Sequence, residues 1–264
     1  STLLMNLGIE STALGFMAGF TGDEIVRELQ EMGVKSDFIR IDEGISRINL
    51  KLKSIDGTEI NGSGPAISAD KVEQLMVQLD ALGEGDVLFL AGSIPSSMPD
   101  DMYRRIMARL EGKGVMIVVD ATKDLLLNVL EYHPFLIKPN NHELGEMFGV
   151  TLKTDEEIIT YAKKLQEKGA RNVLISMAGD GAILITEDGE IHKGLPPKGE
   201  VVNSVGAGDS MVAGFLTGYL NTGDYEKAFK LGIATGSATA FLAWLAEKED
   251  VVKLLDEAKE NFGL

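Results

Sequence analysis

Cysteine is absent from this 264-residue chain, and histidine occurs only three times. Without cysteine the chain has no disulfides, thiolate metal sites or cysteine nucleophiles, which fits the cytoplasm. His133, His142 and His192 do not follow a metal-binding spacing, so we place them in loops or on the surface. No apolar run approaches the roughly 20 residues that a membrane-spanning helix needs, so we expect no membrane partner.

Positive charge is also scarce. The chain has 25 lysines and arginines against 41 acidic residues, which gives a formal net charge of -16. Because no basic stripe can neutralise phosphates, nucleic acid is excluded as a partner. Small anionic substrates stay open if the few cations gather at one site, and most carboxylates are expected on the solvated surface.

Short apolar segments alternate with segments of helical periodicity. The predicted strands are Thr12–Phe16, Asp86–Leu90, Val115–Val119, Phe135–Ile137, Val173–Ile175 and Ala182–Thr186. The predicted helices are Asp23–Met32, Ala69–Leu82, Asp100–Leu110 and Asp155–Glu167. This alternation predicts an α/β fold with a doubly wound, mostly parallel sheet. Ligands are then expected beyond the strand ends, where Ser93, Asp120, Lys138 and Ser176 lie.

Two segments depart from this rhythm. Asp37–Asn61 lacks a helical pattern and predicts two or three short strands with a hairpin turn at Asp56-Gly57, which suggests a lid of residues 37–61 on an α/β domain of residues 1–36 and 62–264. A peripheral hairpin without a role is the alternative. Ser1–Leu7 predicts a helix that Gly8 ends, where a doubly wound fold should open with a strand. We therefore expect an N-terminal strand upstream of the residues given.

The segment Asn203–Ser210 reads Asn-Ser-Val-Gly-Ala-Gly-Asp-Ser and is followed by the apolar run Met211–Phe215. It predicts a small-residue turn that enters a helix, with Asp209 in the first helical turn. N–H groups at a helix start lack intrahelical partners, so an anion can bind there beside a carboxylate that accepts a proton. The local residues alone favour the alternative, a tight strand-to-helix turn in which Asp209 only complements the helix dipole.

Two nucleotide-binding motifs are excluded at this turn. Met211 stands where a dinucleotide-binding fingerprint has its third glycine, which disfavours an NAD-dependent dehydrogenase. The pattern G-x-x-x-x-G-K-[ST] of the P-loop does not occur anywhere in the chain.

The Asp209 turn resembles the C-terminal signature of the ribokinase/PfkB family of carbohydrate kinases, and the resemblance covers nearly the whole chain. It implies a ribokinase-like fold with a small β-sheet lid that closes over the sugar and can mediate a homodimer. It also implies ATP and Mg²⁺ as cofactors. In that family the small residues form an anion hole over the transferred phosphate and the aspartate is the catalytic base. Matched by position, the hole is Gly206, Ala207 and Gly208, and the base is Asp209.

Lys138–Glu143 is the second segment that carries chemistry. Pro139 ends a strand, Asn140 can cap a helix, and Glu143 three residues later completes a capping pattern, which is the plain structural interpretation. The segment also resembles the family's N-x-x-E element. That resemblance implies that Asn140 and Glu143 hold Mg²⁺ largely through water, while Lys138 contacts nucleotide phosphate.

Three further segments complete the resemblance. Residues 176–181 follow a buried strand and resemble the family's S-x-G-x-x-G nucleotide loop, with alanine in place of the first glycine. The nucleotide contacts that this implies are Ser176, Met177, Ala178, Gly179, Asp180 and Gly181. Ser237 and Ala234, in a small-residue helical stretch, are weaker candidates for the adenine pocket and equally suit helix packing. Arg47, in Ser-Arg-Ile-Asn, and Ser93, in Gly-Ser-Ile-Pro, resemble the family's contacts to the phosphate of the substrate.

Within the family, Ser46–Asn49, Thr58–Gly62 and the Asp209 turn resemble kinases of phosphorylated ketohexoses. The reaction implied is transfer of the γ-phosphoryl group of ATP to the 6-hydroxyl of fructose 1-phosphate, with Asp209 in contact with that hydroxyl. The same chemistry on tagatose 6-phosphate is the nearest alternative. A sugar-phosphate sensor without catalysis is a further alternative, which Asp209 argues against because a sensor needs no base.

Overall fold

The computed structural model describes residues 1–52 and 58–257. Its helices are α1 (Thr2–Asn6), α2 (Gly19–Glu31), α3 (Ala69–Asp80), α4 (Met102–Leu110), α5 (Lys123–Leu127), α6 (Asn141–Phe148), α7 (Asp155–Glu167), α8 (Ala207–Thr222), α9 (Tyr225–Ala240) and α10 (Lys248–Glu257). Its strands are β1 (Thr12–Ala18), β2 (Lys35–Ile41), β3 (Asn49–Leu52), β4 (Thr58–Asn61), β5 (Val87–Ala91), β6 (Met116–Asp120), β7 (Leu136–Ile137), β8 (Asn172–Ser176), β9 (Ala182–Ile185) and β10 (Ile191–Gly194). Among the described helices, none combines the length and the apolarity required to cross a bilayer.

A six-stranded sheet in the order β10-β9-β8-β7-β6-β5 forms the centre of the molecule. Strands β5 to β8 run parallel, and β9 and β10 add antiparallel pairs at one edge. The predicted doubly wound, mostly parallel α/β sheet is confirmed. Because parallel strands need helical crossovers, both faces of such a sheet are covered and its strands are apolar throughout.

Side-chain alternation along the strands divides the core into two layers. Ile117 and Val119 of β6 pack with helices α3 to α7, in the larger cluster of buried side chains. Val118, between them, points to the opposite face and packs with α8 and α9. The period of two in a strand therefore sends successive residues to opposite helical layers.

Strands β1 and β2 form a separate parallel pair, and β3 and β4 form a small antiparallel pair. The three short strands predicted within residues 37–61 are thus present, but β2 joins β1 and only β3 and β4 pair with each other. The predicted turn at Asp56-Gly57 lies outside the described residues. The division of the chain into an α/β domain and a lid stays a prediction.

Two local predictions were wrong. Helix α2 begins at Gly19, four residues before the predicted start at Asp23, because Gly19 and Phe20 already take helical hydrogen bonds after the end of β1. The Asp209 turn is also not entered from a strand, since residues 195–206 have no strand after β10 ends at Gly194. That segment instead attaches to the end of α9, where the N–H groups of Val202 and Asn203 donate to the Ala240 carbonyl at 2.9 and 3.1 Å.

Helices α8 and α9 pack against each other at very short range, because small residues face each other along the contact. A Cβ on Gly214 would lie 2.4 Å from Thr235 Oγ1 and 2.7 Å from the Leu231 carbonyl oxygen. A Cβ on Gly236 would lie 3.0 Å from the Ala207 carbonyl oxygen, at the first residue of α8. The close packing therefore fixes the start of α8 relative to α9.

We predict that Gly214→Ala destabilises the protein by about 1–3 kcal/mol, because the added methyl meets a backbone carbonyl that cannot rotate away. Urea denaturation measures the change through its midpoint at a constant slope. Gly83→Ala is the matched control, since nothing lies within 4 Å of a Cβ there. Equal stabilities of the two variants would show that the helices separate without cost.

Candidate active site

Four parallel strands end at one edge of the central sheet and bring the predicted site segments together. Strand β5 leads to Ser93, β6 ends at Asp120, β7 leads to Lys138, and β8 ends at Ser176. The Ser176 N–H donates to the Pro139 carbonyl at 3.3 Å, which joins the last two segments. The prediction that these residues share one sheet edge is confirmed.

Helix α8 starts above this edge, and Gly206 is its N-terminal cap. Gly206 has φ +81°, a left-handed conformation that glycine adopts without steric cost. The Ala207 N–H donates to the Ser204 carbonyl at 3.2 Å, and the Ser210 N–H donates to the Gly206 carbonyl at 2.8 Å. Helix geometry leaves the N–H groups of Gly208 and Asp209 between them without intrahelical acceptors. The anion-binding groups thus lie one position later than the predicted set of residues 206–208.

Asp209 lies in the first turn of α8 and its side chain is exposed. The position predicted from the sequence is confirmed. A carboxylate there complements the helix dipole and at the same time stands beside the two N–H groups. Both interpretations of Asp209 therefore agree with the geometry, and only an activity measurement separates them.

Lys138 is a buried cation at the start of α8. Its side chain is 8% exposed, and its Nζ lies 3.2 Å from Asp120 Oδ2. A Cβ built on Gly208 would lie only 3.2 Å from the same Nζ. The ammonium group is therefore held between the end of β6 and the first turn of α8.

Asp120 is the site residue to which the sequence assigned a place but no role. Burial raises its pKa to about 6, although the Lys138 ammonium opposes the shift. The negative charges of Asp209 and Glu143 add to the increase. These two long-range effects show that three carboxylates and one ammonium share a single electrostatic environment. An acidic residue directly after a buried parallel strand is the sequence signal for such a position.

Asn140 and Glu143 form a capping box at the start of α6. Asn140 Oδ1 accepts the Glu143 N–H and Glu143 Oε2 accepts the Asn140 N–H, both at 2.8 Å. The capping interpretation is confirmed, and one oxygen of Glu143 is left for other partners. Within residues 1–52 and 58–257, no three acidic or histidine side chains converge as a metal cage. This donor set fits a Mg²⁺ ion bound mainly by water and phosphate oxygens.

The loop after β8 is a tight turn between two strands, as predicted. The Met177 N–H donates to the Gly181 carbonyl at 2.8 Å, and residues 178–180 form a short 3₁₀ turn. Ala178 has φ +50°, in the left-handed region that favours glycine. The alanine that departs from the family pattern therefore keeps the backbone conformation of a glycine.

The two candidates on α9 are packed against other elements. Ser237 is 9% exposed, and Ala234 belongs to a buried apolar cluster that includes Leu231 of α9 and Ala213 of α8. The helix-packing interpretation of Ala234 is confirmed. Contact of either residue with a nucleotide stays a prediction.

Arg47 and Ser93 meet at the lid, although 46 residues separate them in the chain. Arg47 Nη1 donates to Ser93 Oγ at 3.3 Å. The neighbouring Ser46 is buried and fixes this part of the lid to the end of β1. Its Oγ accepts the Ala18 N–H at 3.0 Å, and its own N–H donates to the Ala18 carbonyl at 2.8 Å.

Comparison with known proteins agrees with this architecture. The model of a family described as pfkB family carbohydrate kinase matches residues 1–253. The 1-phosphofructokinase of Bacillus subtilis is 48% identical over 259 residues, which cover 98% of this chain and 85% of that protein. The D-tagatose-1-phosphate kinase of Bacillus licheniformis is 38% identical over 261 residues, or 98% of this chain and 84% of that protein.

A solved structure shows the same fold. The crystal structure of a Staphylococcus aureus protein assigned as a phosphofructokinase superposes with a TM-score of 0.86 at 44% sequence identity. The match covers 96% of this chain and 82% of that chain.

We predict that Ala178→Gly stabilises the protein by up to about 1 kcal/mol, because it removes the cost of a left-handed alanine. Thermal unfolding in the absence of ligand measures the shift. Ala108→Gly is the matched control, since Ala108 is an exposed residue inside helix α4 and its replacement should cost about 1 kcal/mol. If both variants lost stability equally, the conformation at residue 178 would carry no strain.

Proposed function

This chain belongs to the pfkB family of carbohydrate kinases, and we propose that it transfers the γ-phosphoryl group of ATP to the 6-hydroxyl of fructose 1-phosphate. The product is fructose 1,6-bisphosphate. The observation that carries the proposal is the start of α8, where an exposed carboxylate, two N–H groups and a buried ammonium group converge. The Bacillus subtilis relative named 1-phosphofructokinase supports the choice of sugar.

Asp209 accepts the proton of the attacking hydroxyl. Phosphoryl transfer proceeds through a loose transition state in which the catalytic carboxylate mainly orients the nucleophile and takes its proton late. An exposed aspartate in the first turn of a helix suits this role, because it remains ionised near neutral pH and accessible to the sugar. The bond from the sugar oxygen to phosphorus forms as the bond to the ADP oxygen breaks.

Negative charge on the moving phosphoryl group is stabilised by groups that are already in place. The N–H groups of Gly208 and Asp209 point outward from the start of α8, and the Lys138 ammonium lies against the same turn. Donors that are fixed before the reaction stabilise a transition state without paying for reorganisation. Close packing of α8 against α9 keeps these donors in position.

Mg²⁺ supplies charge neutralisation for the triphosphate when it is bound. Glu143, with one oxygen outside the capping box, and Asn140 would hold it largely through water. The loop of residues 176–181, with Ser237 nearby on α9, is proposed to hold the rest of the nucleotide.

Arg47 and Ser93 are proposed to bind the phosphate that the sugar already carries. A guanidinium group can bind two phosphate oxygens in one plane, and a hydroxyl beside it adds a third donor. Their direct contact shows that the lid and the sheet edge approach each other closely enough to share a small anion. The 1-phosphate of the sugar would replace the hydroxyl as the partner of Arg47.

A second substrate is favoured by one of the relatives. The Bacillus licheniformis relative is named for D-tagatose 1-phosphate rather than for the tagatose 6-phosphate weighed from the sequence. Fructose 1-phosphate and tagatose 1-phosphate share the phosphate position that Arg47 and Ser93 would read. Steady-state rates with both sugars and with tagatose 6-phosphate rank the candidates directly.

The lid offers a surface for a homodimer. Leu50 and Ile60 are paired across β3 and β4, and both are about half exposed, at 50% and 58%. Ile48, just before β3, is 60% exposed. Exposed apolar side chains grouped in this way are typical of a contact with another protein. A second copy of this chain is the proposed partner.

We predict that Asp209→Asn lowers kcat for fructose 1-phosphate by about a thousandfold or more, because it removes the proton acceptor. Asp155→Asn is the matched control, since Asp155 also lies in the first turn of a helix. Both changes should alter stability by less than about 1 kcal/mol through the helix dipole. Unchanged phosphoryl transfer by Asp209→Asn would leave the sensor interpretation in place of the kinase.

We predict that Arg47→Lys raises the KM for the sugar phosphate about tenfold, because an ammonium group cannot make the planar two-point contact. The KM for ATP should not change. Arg109→Lys serves as the control, as Arg109 pairs with Asp80 away from the site. A matching increase in the KM for ATP would place Arg47 at the nucleotide instead of the sugar.

A further inference from the structure

We propose that Asp120 is a positioning residue, which holds the Lys138 ammonium against the start of helix α8, where it meets the terminal phosphate of ATP. The inference rests on the proposed kinase function and assigns a role to a residue outside the predicted site. Asp120 acts through Lys138 and does not itself contact the phosphate.

The first support is the geometry of the pair. Asp120 Oδ2 lies 3.2 Å from Lys138 Nζ, at the end of strand β6, and the two side chains are 19% and 8% exposed. The N–H group of Lys138 donates to the Val119 carbonyl at 3.2 Å, so the backbones of both residues are joined in the sheet. The ammonium group therefore has one fixed anchor on a rigid element.

The second support is the direction in which Lys138 is held. Its Nζ lies 3.2 Å from the place where a Cβ of Gly208 would be, which is closer than most Cβ contacts in proteins. Glycine at this position thus leaves room for the ammonium beside the N–H groups of the first turn. A cation at a helix N-terminus is disfavoured by the helix dipole, so an acid is needed to keep it there.

The third support is the cost of burying a charge. A lysine that is buried without a partner loses its proton easily, because burial penalises the charged form. Asp120 compensates Lys138, while Asp209 and Glu143 are the other charged groups close enough to affect Asp120. When one member of a buried pair is removed, the remaining charge is uncompensated. Without Asp120, Lys138 would move or become neutral, and in either case the phosphate would lose its cation.

A double-mutant cycle tests the proposal. Asp120→Asn, Lys138→Met and the variant with both changes are assayed for kcat, for the KM of fructose 1-phosphate and, by calorimetry, for the affinity for Mg·ATP. We expect each single change to lower kcat and the affinity for Mg·ATP by about tenfold or more, since small displacements at a reacting centre are costly. The KM for the sugar should stay within about twofold. The double variant should lose no more than Lys138→Met alone.

Asp80→Asn is the matched control, because it breaks the ion pairs of Asp80 with Arg109 and Lys113 away from the site and should leave all three constants unchanged. Losses that add in the double variant overturn the proposal, as does a normal Mg·ATP affinity in Asp120→Asn. If Asp120→Asn does not fold, Asp120→Glu takes its place in the same cycle, with the same deciding outcomes. If the unmodified protein phosphorylates no sugar, the proposed function fails, and the Mg·ATP affinities alone still decide the role of Asp120.

Discussion

The contact between a buried ammonium group and the first turn of α8 is the constraint on which the rest of the site depends. Lys138 can lie there only because Gly208 has no side chain and because Asp120 offsets the charge. The start of α8 is in turn fixed by its packing on α9, where a Cβ on Gly236 would press on the Ala207 carbonyl. Helix packing and charge placement are therefore two requirements on the same few small residues.

The fold positions this contact by a simple rule of parallel sheets. Strands that run in the same direction end at the same edge, so residues far apart in the chain meet there without any special device. Asp120 and Lys138 follow neighbouring strands, and Ser93 follows the strand on the other side. The lid adds Arg47 from outside the central sheet, and its contact with Ser93 closes the space between the sheet edge and the lid.

Much of this could be predicted from the sequence, because the strongest signals are local. The buried run Val115–Val119 and the helix Asp155–Glu167 are near to what the structure has, and the capping box of Asn140 and Glu143 follows from spacing alone. The Asp120–Lys138 pair could not be found in this way, because a contact between two strand ends depends on which way side chains turn. The start of α2 was missed for a related reason, since β1 leads directly into Gly19 without a loop.

A crystal structure of the protein with a non-hydrolysable ATP analogue, Mg²⁺ and fructose 1-phosphate tests the central claim most directly. The account predicts that the terminal phosphate lies about 3 Å from the N–H groups of Gly208 and Asp209 and from Lys138 Nζ, with Asp120 still paired to that lysine. A terminal phosphate bound elsewhere, with Lys138 still turned toward an empty helix start, would contradict it.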